Sequence, residues 1–140
     1  MKKLNCILLI EDDEATNFYN HLIIEKADVA EHTQITLNGM EAIDYLTNSG
    51  KYHKNDNEFP KPDLIFVDIN MPKMDGWEFL DEYQKLPDFQ KGKIIIVMLT
   101  TSINPDDQRR AESIPLVSGY KHKPLTVEIL DEIMEKYFAD

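Results

Sequence analysis

Asp63-Leu64-Ile65-Phe66-Val67-Asp68-Ile69-Asn70-Met71-Pro72 is the stretch that decides the fold of this chain. Four apolar residues run straight into an aspartate, and a turn through Lys73-Met74-Asp75-Gly76 follows at once. A short apolar run bounded by turn residues reads as a strand buried on both faces, as in a parallel sheet. Asp68 then stands at the carboxyl end of that strand, where open α/β sheets bind their ligands. A charge in that position is costly unless something pairs with it.

Two more runs have the same character. Leu4 to Ile10 reads as a first buried strand, closed by Glu11-Asp12-Asp13, and Lys93 to Leu99 holds six consecutive apolar residues and ends in Thr100-Thr101-Ser102. Thr33 to Leu37 alternates polar and apolar residues, which predicts a half-exposed edge strand. A mixed segment through Tyr120, ending at Lys121-His122-Lys123-Pro124, predicts a weaker fifth strand.

Helical spacing fills the gaps. Ala15, Phe18, Tyr19, Leu22 and Ile23 fall on one face of a first helix, expected to pack on the sheet. Ala42, Ile43 and Leu46 begin a second helix after Asn38-Gly39, and Gly76, Phe79, Leu80, Tyr83 and Leu86 mark a third. Asn104-Pro105-Asp106-Asp107 combines an N-cap, a proline at the first helical position and acids in the first turn. Thr126 caps a last helix with Ile129, Leu130, Ile133, Met134, Tyr137 and Phe138 on its core face. The stretch from Asn48 to Pro62 is polar and turn-rich, and is expected to be a surface loop.

Five strands alternating with five helices predict an α/β fold, a flavodoxin-like, doubly wound (βα)5 domain. Strand order 2-1-3-4-5 puts the mixed strands at the edges and the three apolar ones inside. At 140 residues the chain is expected to be one domain over 1–140, with no output domain after it. A net charge of −11 disfavours nucleic acid and anionic membranes as direct partners. The lone Cys6 sits among aliphatic residues, which suits a small buried hydrophobe in a reducing cytoplasm. The first apolar stretch stops at Glu11, too soon for a signal peptide, so a cytoplasmic location is expected.

In such a sheet all the carboxyl ends open on one edge. Strand one delivers Glu11 and Asp12, strand three Asp68, strand four Thr100 and strand five Lys123. Carboxylates gathered there either hold protons at raised pKa or surround a cation. Oxygen-only ligands in a partly hydrated site favour Mg²⁺, and metal, lysine and hydroxyl together match the oxygens of a phosphoryl group. Taken singly, each residue has a plainer reading. An acidic pair after a strand is usually a helix cap and solvated corner, Thr100 a strand former, Lys123-Pro124 an ordinary loop, and Asp68 a turn cap. Their joint placement at the correct strand ends makes coincidence the poorer account.

The chain resembles the receiver domain of two-component response regulators over essentially its whole length. The resemblance rests on Ile7-Leu-Leu-Ile-Glu-Asp-Asp13, Asp63 through Gly76, Val97-Met-Leu-Thr-Thr-Ser102 and Tyr120-Lys-His-Lys-Pro124, in that order. It implies that Asp68 is the phosphoacceptor, served by a sensor histidine kinase or phosphotransfer protein. It further implies that Asp12 and Asp68 bind Mg²⁺ directly, with the Asn70 carbonyl as a third ligand and Glu11 acting through water. Asp13 is left as the helix cap.

On the same resemblance Lys123 pairs with Asp68, Thr100 takes a phosphoryl oxygen, and Tyr120 is the switch aromatic. Asn70 and Ser102 tune autodephosphorylation, and the Lys123–Pro124 bond is cis. The readout surface is helix four, strand five and helix five, through which the chain would meet an unknown downstream protein; a homodimer there is left open. Two positions depart from the family pattern: Thr101 stands where alanine is common, and Leu116-Val117 replaces a small Gly-Ala pair. Leu99 to Ser102 and the long loop before strand three resemble a subgroup of stand-alone receivers paired with sensors such as phytochromes.

The resemblance implies a signalling module rather than a classical enzyme. The alternative is a Mg²⁺-dependent phosphatase or phosphotransferase that acts on a small molecule through an aspartyl-phosphate. That class commonly places a second acid two residues after the nucleophile, where this chain has Asn70.

Overall fold

The three apolar runs form the middle of the sheet. The structure, a computed structural model, describes residues 3–52, 59–87 and 93–139. Its inner strands are β1 (Leu4–Ile10), β3 (Leu64–Val67) and β4 (Ile95–Thr100), and its edges are β2 (Ala30–Thr36) and β5 (Val117–His122). All pairings are parallel and the order is β2-β1-β3-β4-β5, the flavodoxin-like order expected. The helices between them are α1 (Glu14–Ala27), α2 (Gly39–Thr47), α3 (Gly76–Gln84), α4 (Pro105–Glu112) and α5 (Val127–Tyr137).

Side chains alternate across a strand, so each inner strand feeds two cores. Leu8, Ile10, Ile65, Val67, Ile96 and Met98 pack with α2, α3 and Ala111 of α4. Ile7, Leu9, Leu64, Phe66, Val97 and Leu99 pack on the other face with Ile24 of α1 and Leu130, Ile133 and Met134 of α5. Cys6 is fully buried in β1, and burial pushes its thiol up to about 11. The caps are those expected: Asp13, Asn104 and Thr126 accept backbone N–H groups of α1, α4 and α5, and Pro105 opens α4.

Three expectations are corrected. The first is α1, whose expected apolar stripe points to solvent: Phe18 is 67% and Leu22 48% exposed, and Tyr19 and Ala15 are exposed as well. Asn17, Asn20 and Ile24 face the sheet instead, and of the expected stripe only Ile23 packs against the core. Polar bonds at the helix start explain the rotation. Asp13 takes the N–H and hydroxyl of Thr16 at 2.9 and 2.5 Å, and Asn17 Nδ2 donates to the Glu11 carbonyl at 2.8 Å. These anchors fix which face turns inward before any apolar residue is counted.

Second, β2 spans Ala30–Thr36 rather than Thr33–Leu37. Its backbone pairs with β1 from Leu4↔Ala30 to Ile10↔Thr36, so the length of β1 sets its extent and side-chain alternation does not. Third, the ends of the 48–62 segment are not simply polar surface. A 3₁₀ turn at Gly50–Tyr52 buries Tyr52, and Tyr45, Tyr52 and Phe59 meet edge to face at centroid distances of 5.1 to 5.8 Å. Tyr45 also donates to the Pro60 carbonyl at 2.5 Å, pinning the far end to α2. Residues 53–58 of that expected loop lie outside the described residues.

The turned-out stripe predicts opposite costs for two neighbours. Leu22→Ser should change the unfolding free energy by no more than about 0.5 kcal/mol, whereas Ile24→Ala should lose about 2–4 kcal/mol through its cavity. Urea denaturation of the two variants measures both.

Candidate functional site

Three site residues each sit one step past the end of a strand, and each is held there by a neighbouring strand. Glu11 N–H donates to Thr36 O at 3.0 Å, Asp68 N–H to Ile10 O at 3.1 Å, and Lys123 N–H to Thr100 O at 2.8 Å. The parallel ladder therefore continues for one bond beyond β1, β3 and β5, and delivers two carboxylates and an ammonium to one edge. Asp12 follows Glu11 and stands exposed at the rim.

Glu11, Asp12 and Asp68 each contribute an oxygen to a cluster whose atoms all lie within 4.8 Å of one another. Lys123 Nζ binds Glu11 Oε1 directly and stands 3.4 Å from Asp68 Oδ2. The expected Lys123–Asp68 pair is thus present, with Glu11 as the nearer partner. Asp68 Oδ1 accepts the N–H of Ile69 at 2.9 Å. One ammonium against three carboxylates leaves the pocket short of positive charge. Burial raises the Glu11 and Asp68 carboxyls above their ordinary values, and contact with Lys123 only partly offsets this. For Lys123, burial acts to lower the ammonium, but Glu11 and Asp68 outweigh it and hold the pKa above the usual value. An all-oxygen set of this kind fits a hard divalent cation.

The remaining expected residues lie on β4, β5 and the turns that follow β3 and β4. Thr100 is buried at the end of β4, and its Oγ1 accepts the Ser102 N–H at 3.1 Å. The Ser102 hydroxyl donates to Asp107 Oδ2 at 2.6 Å, in the first turn of α4, and accepts from Asn104 N. Tyr120 is half-buried with its hydroxyl enclosed, close to Ser102 and Asp107, and burial raises its pKa. Asn70 is exposed on the turn between β3 and α3. That turn is closed by Gly76 N–H to Ile69 O at 2.8 Å, and a Cβ on Gly76 would lie 2.2 Å from the Asp68 carbonyl oxygen. Only glycine fits there, so Gly76 sets the approach of α3 to Asp68. The Lys123–Pro124 peptide is cis, as expected.

Asn17 belongs with these residues although its position in the sequence did not mark it. Its amide holds the Glu11 carbonyl from α1, and it lines a groove with Asp12, Asp13, Phe18 and Leu37 beside the carboxylates. The available signal was an amide at the spacing of a buried face, i, i+3 and i+7 with Asn20 and Ile24, inside a helix whose apolar residues suggested another face.

The family model described as the response regulator receiver domain matches residues 7–135. Response regulator Rcp1 of Synechocystis sp. is 36% identical over 101 residues, 72% of this chain and 65% of that protein, so the match spans just under two thirds of the relative's length. A two-component response regulator from Cytophaga hutchinsonii is 35% identical, with a TM-score of 0.82 over 96% of this chain and 97% of that one. The Mn²⁺-bound form of response regulator Rcp1 is 29% identical, with a TM-score of 0.69 over 95% of this chain and 94% of that one.

Raised carboxyl pKa values carry a sign for stability. A folded acid that holds its proton more tightly than the unfolded chain binds more protons, so stability falls as pH rises from the ordinary carboxylate range through the raised value. Without divalent metal, Asp68→Asn should therefore melt higher than the native chain at pH 7, by roughly 3 °C per kcal/mol of relieved burial cost and repulsion. The difference should shrink as the pH approaches about 4, where an unperturbed carboxyl itself takes up a proton. Thermal unfolding of both proteins from pH 4 to 8 in a chelator measures it.

Proposed function

The chain belongs to the response regulator receiver domain family, and from that premise we propose that Asp68 accepts a phosphoryl group from the phosphohistidine of a sensor kinase or phosphotransfer protein. The observation that carries this reading is the convergence of Glu11, Asp12 and Asp68 on one point with Lys123 against them. Phosphorylation and Mg²⁺ binding are typical of the family. Asp12 and Asp68 would hold Mg²⁺ together with the Asn70 carbonyl, with Glu11 acting through water, and the ion supplies positive charge to the phosphoryl oxygens.

In the transfer the phosphorus–nitrogen bond of the donor breaks and its electron pair stays on the imidazole. An Asp68 carboxylate oxygen forms the new phosphorus–oxygen bond. Lys123 then shifts its attraction from the Asp68 charge to a phosphoryl oxygen. The groove walled by Asp12, Asp13, Phe18 and Leu37, about 960 Å³, gives the donor a surface beside the acceptor. A kinase transmitter of this kind works in the cytoplasm, which is where the chain would act.

The acyl phosphate carries about −1.5 to −2 charge in place of the carboxylate's single charge, and it presents three strong acceptor oxygens. Those oxygens can accept the Thr100 O–H, whose oxygen already accepts from Ser102, and so bias the loop that leads into α4. Tyr120 borders that loop, and the α4-β5-α5 face is the readout surface. A groove of about 250 Å³ on this face, lined by Gln108, Glu112, Ser118, Tyr120, Lys136 and Tyr137 among others, offers contact to a downstream protein or a second copy. Water attacking the acyl phosphate returns Asp68 to its free state, with Asn70 and Ser102 setting the lifetime. The chain thus turns over its own signal and is a signalling module rather than a classical enzyme.

Incubation with a small acyl phosphate and Mg²⁺, followed by intact mass measurement, tests the reading. One phosphoryl group should be added to the native chain, and none to Asp68→Asn or when the metal is chelated. An unmodified native chain contradicts the reading, as does sustained turnover of small phosphoesters.

A further inference from the structure

We infer that Asn17 is a positioning residue for the metal-binding carboxylates, acting through the peptide that joins Glu11 to Asp12. The inference rests on the proposed Mg²⁺ site and concerns how that site is held. The Glu11 carbonyl lies just past the end of β1. It is met by the Asn17 amide from α1 at 2.8 Å, while the Glu11 N–H is met by Thr36 of β2 at 3.0 Å. Residue 11 is therefore gripped from both sides, and the peptide that carries its side chain and leads to Asp12 has a set orientation. Asp13 closes the other end of the turn by capping α1 through Thr16, and its N–H donates to Glu11 Oε2 at 3.2 Å.

Helix propensity and apolar packing do not call for asparagine at this position. Asn17 is only 4% exposed, its Oδ1 is enclosed with no partner among the described groups, and asparagine is a poorer helix former than leucine. An enclosed acceptor without a donor is unfavourable, and an apolar side chain of similar size would avoid it. Phe18 and Leu22, meanwhile, are left in water on the same helix. What this arrangement secures is the bond to the Glu11 carbonyl. Groups that orient metal ligands without touching the ion typically alter affinity by about 10–100-fold when removed.

The experiment is calorimetric titration of the folded full chain with Mg²⁺ at 25 °C, comparing the native protein with Asn17→Leu and, as a smaller replacement, Asn17→Ala. Thermal midpoints without metal are recorded alongside. Affinity is read on folded protein, so a loss of stability alone does not move it. The expected result is a Kd for Mg²⁺ raised about tenfold in either variant that folds, with near-ultraviolet circular dichroism unchanged. Binding within twofold of the native chain in a folded variant overturns the role of Asn17 and leaves the metal site standing. A native chain that takes up no Mg²⁺ overturns the metal site itself, and the inference with it.

Discussion

A single ammonium, that of Lys123, stands against two enclosed carboxylates and a third at the rim, and the site is organised by that imbalance. Two unit charges about 4 Å apart interact with roughly 4 kcal/mol at an effective dielectric of 20. Lys123 can offset only part of the repulsion among Glu11, Asp12 and Asp68. The residual negative charge is what a divalent cation would neutralise. It is also what makes Asp68 responsive, because every change of its charge redistributes the attraction of Lys123 between Asp68 and Glu11.

The sheet makes this confrontation possible. Parallel strands leave all carboxyl ends on one edge, and three of the four ladders run one hydrogen bond past the strand before the chain turns away. The main chain at Glu11, Asp68 and Lys123 is thereby still tied to a neighbouring strand, although the side chains face a polar pocket. Supporting groups lie in the next layer. Gly76 lets α3 approach the Asp68 carbonyl, Asn17 holds the Glu11 carbonyl, and Thr100 links the pocket through Ser102 to Asp107 at the start of α4.

Most of the inner sheet was legible because fully buried parallel strands must be apolar throughout. Leu4 to Ile10, Leu64 to Val67 and the run after Lys93 could hardly be anything else. The acids and the lysine at the strand ends were legible for the converse reason, since charges directly after buried strands demand partners. The face of α1 was not. Its periodicity was real, but polar anchors at Asp13 and Asn17 set the rotation of the helix, and hydrophobic spacing carries no information about anchors. Tyr52 was hidden for a related reason, because its polar neighbours masked an aromatic cluster with Tyr45 and Phe59 that forms only in three dimensions. The extent of β2 follows from backbone pairing, which side-chain alternation does not report.

The central claim is that Asp68 is a strained, cation-seeking carboxylate, and its own titration tests this most directly. The carboxyl carbon shift of selectively labelled Asp68 can be followed against pH with and without Mg²⁺. The account predicts an apparent pKa above the ordinary aspartate range in the metal-free protein and a clear fall when Mg²⁺ is added. An ordinary value that stays the same with and without the ion would contradict it.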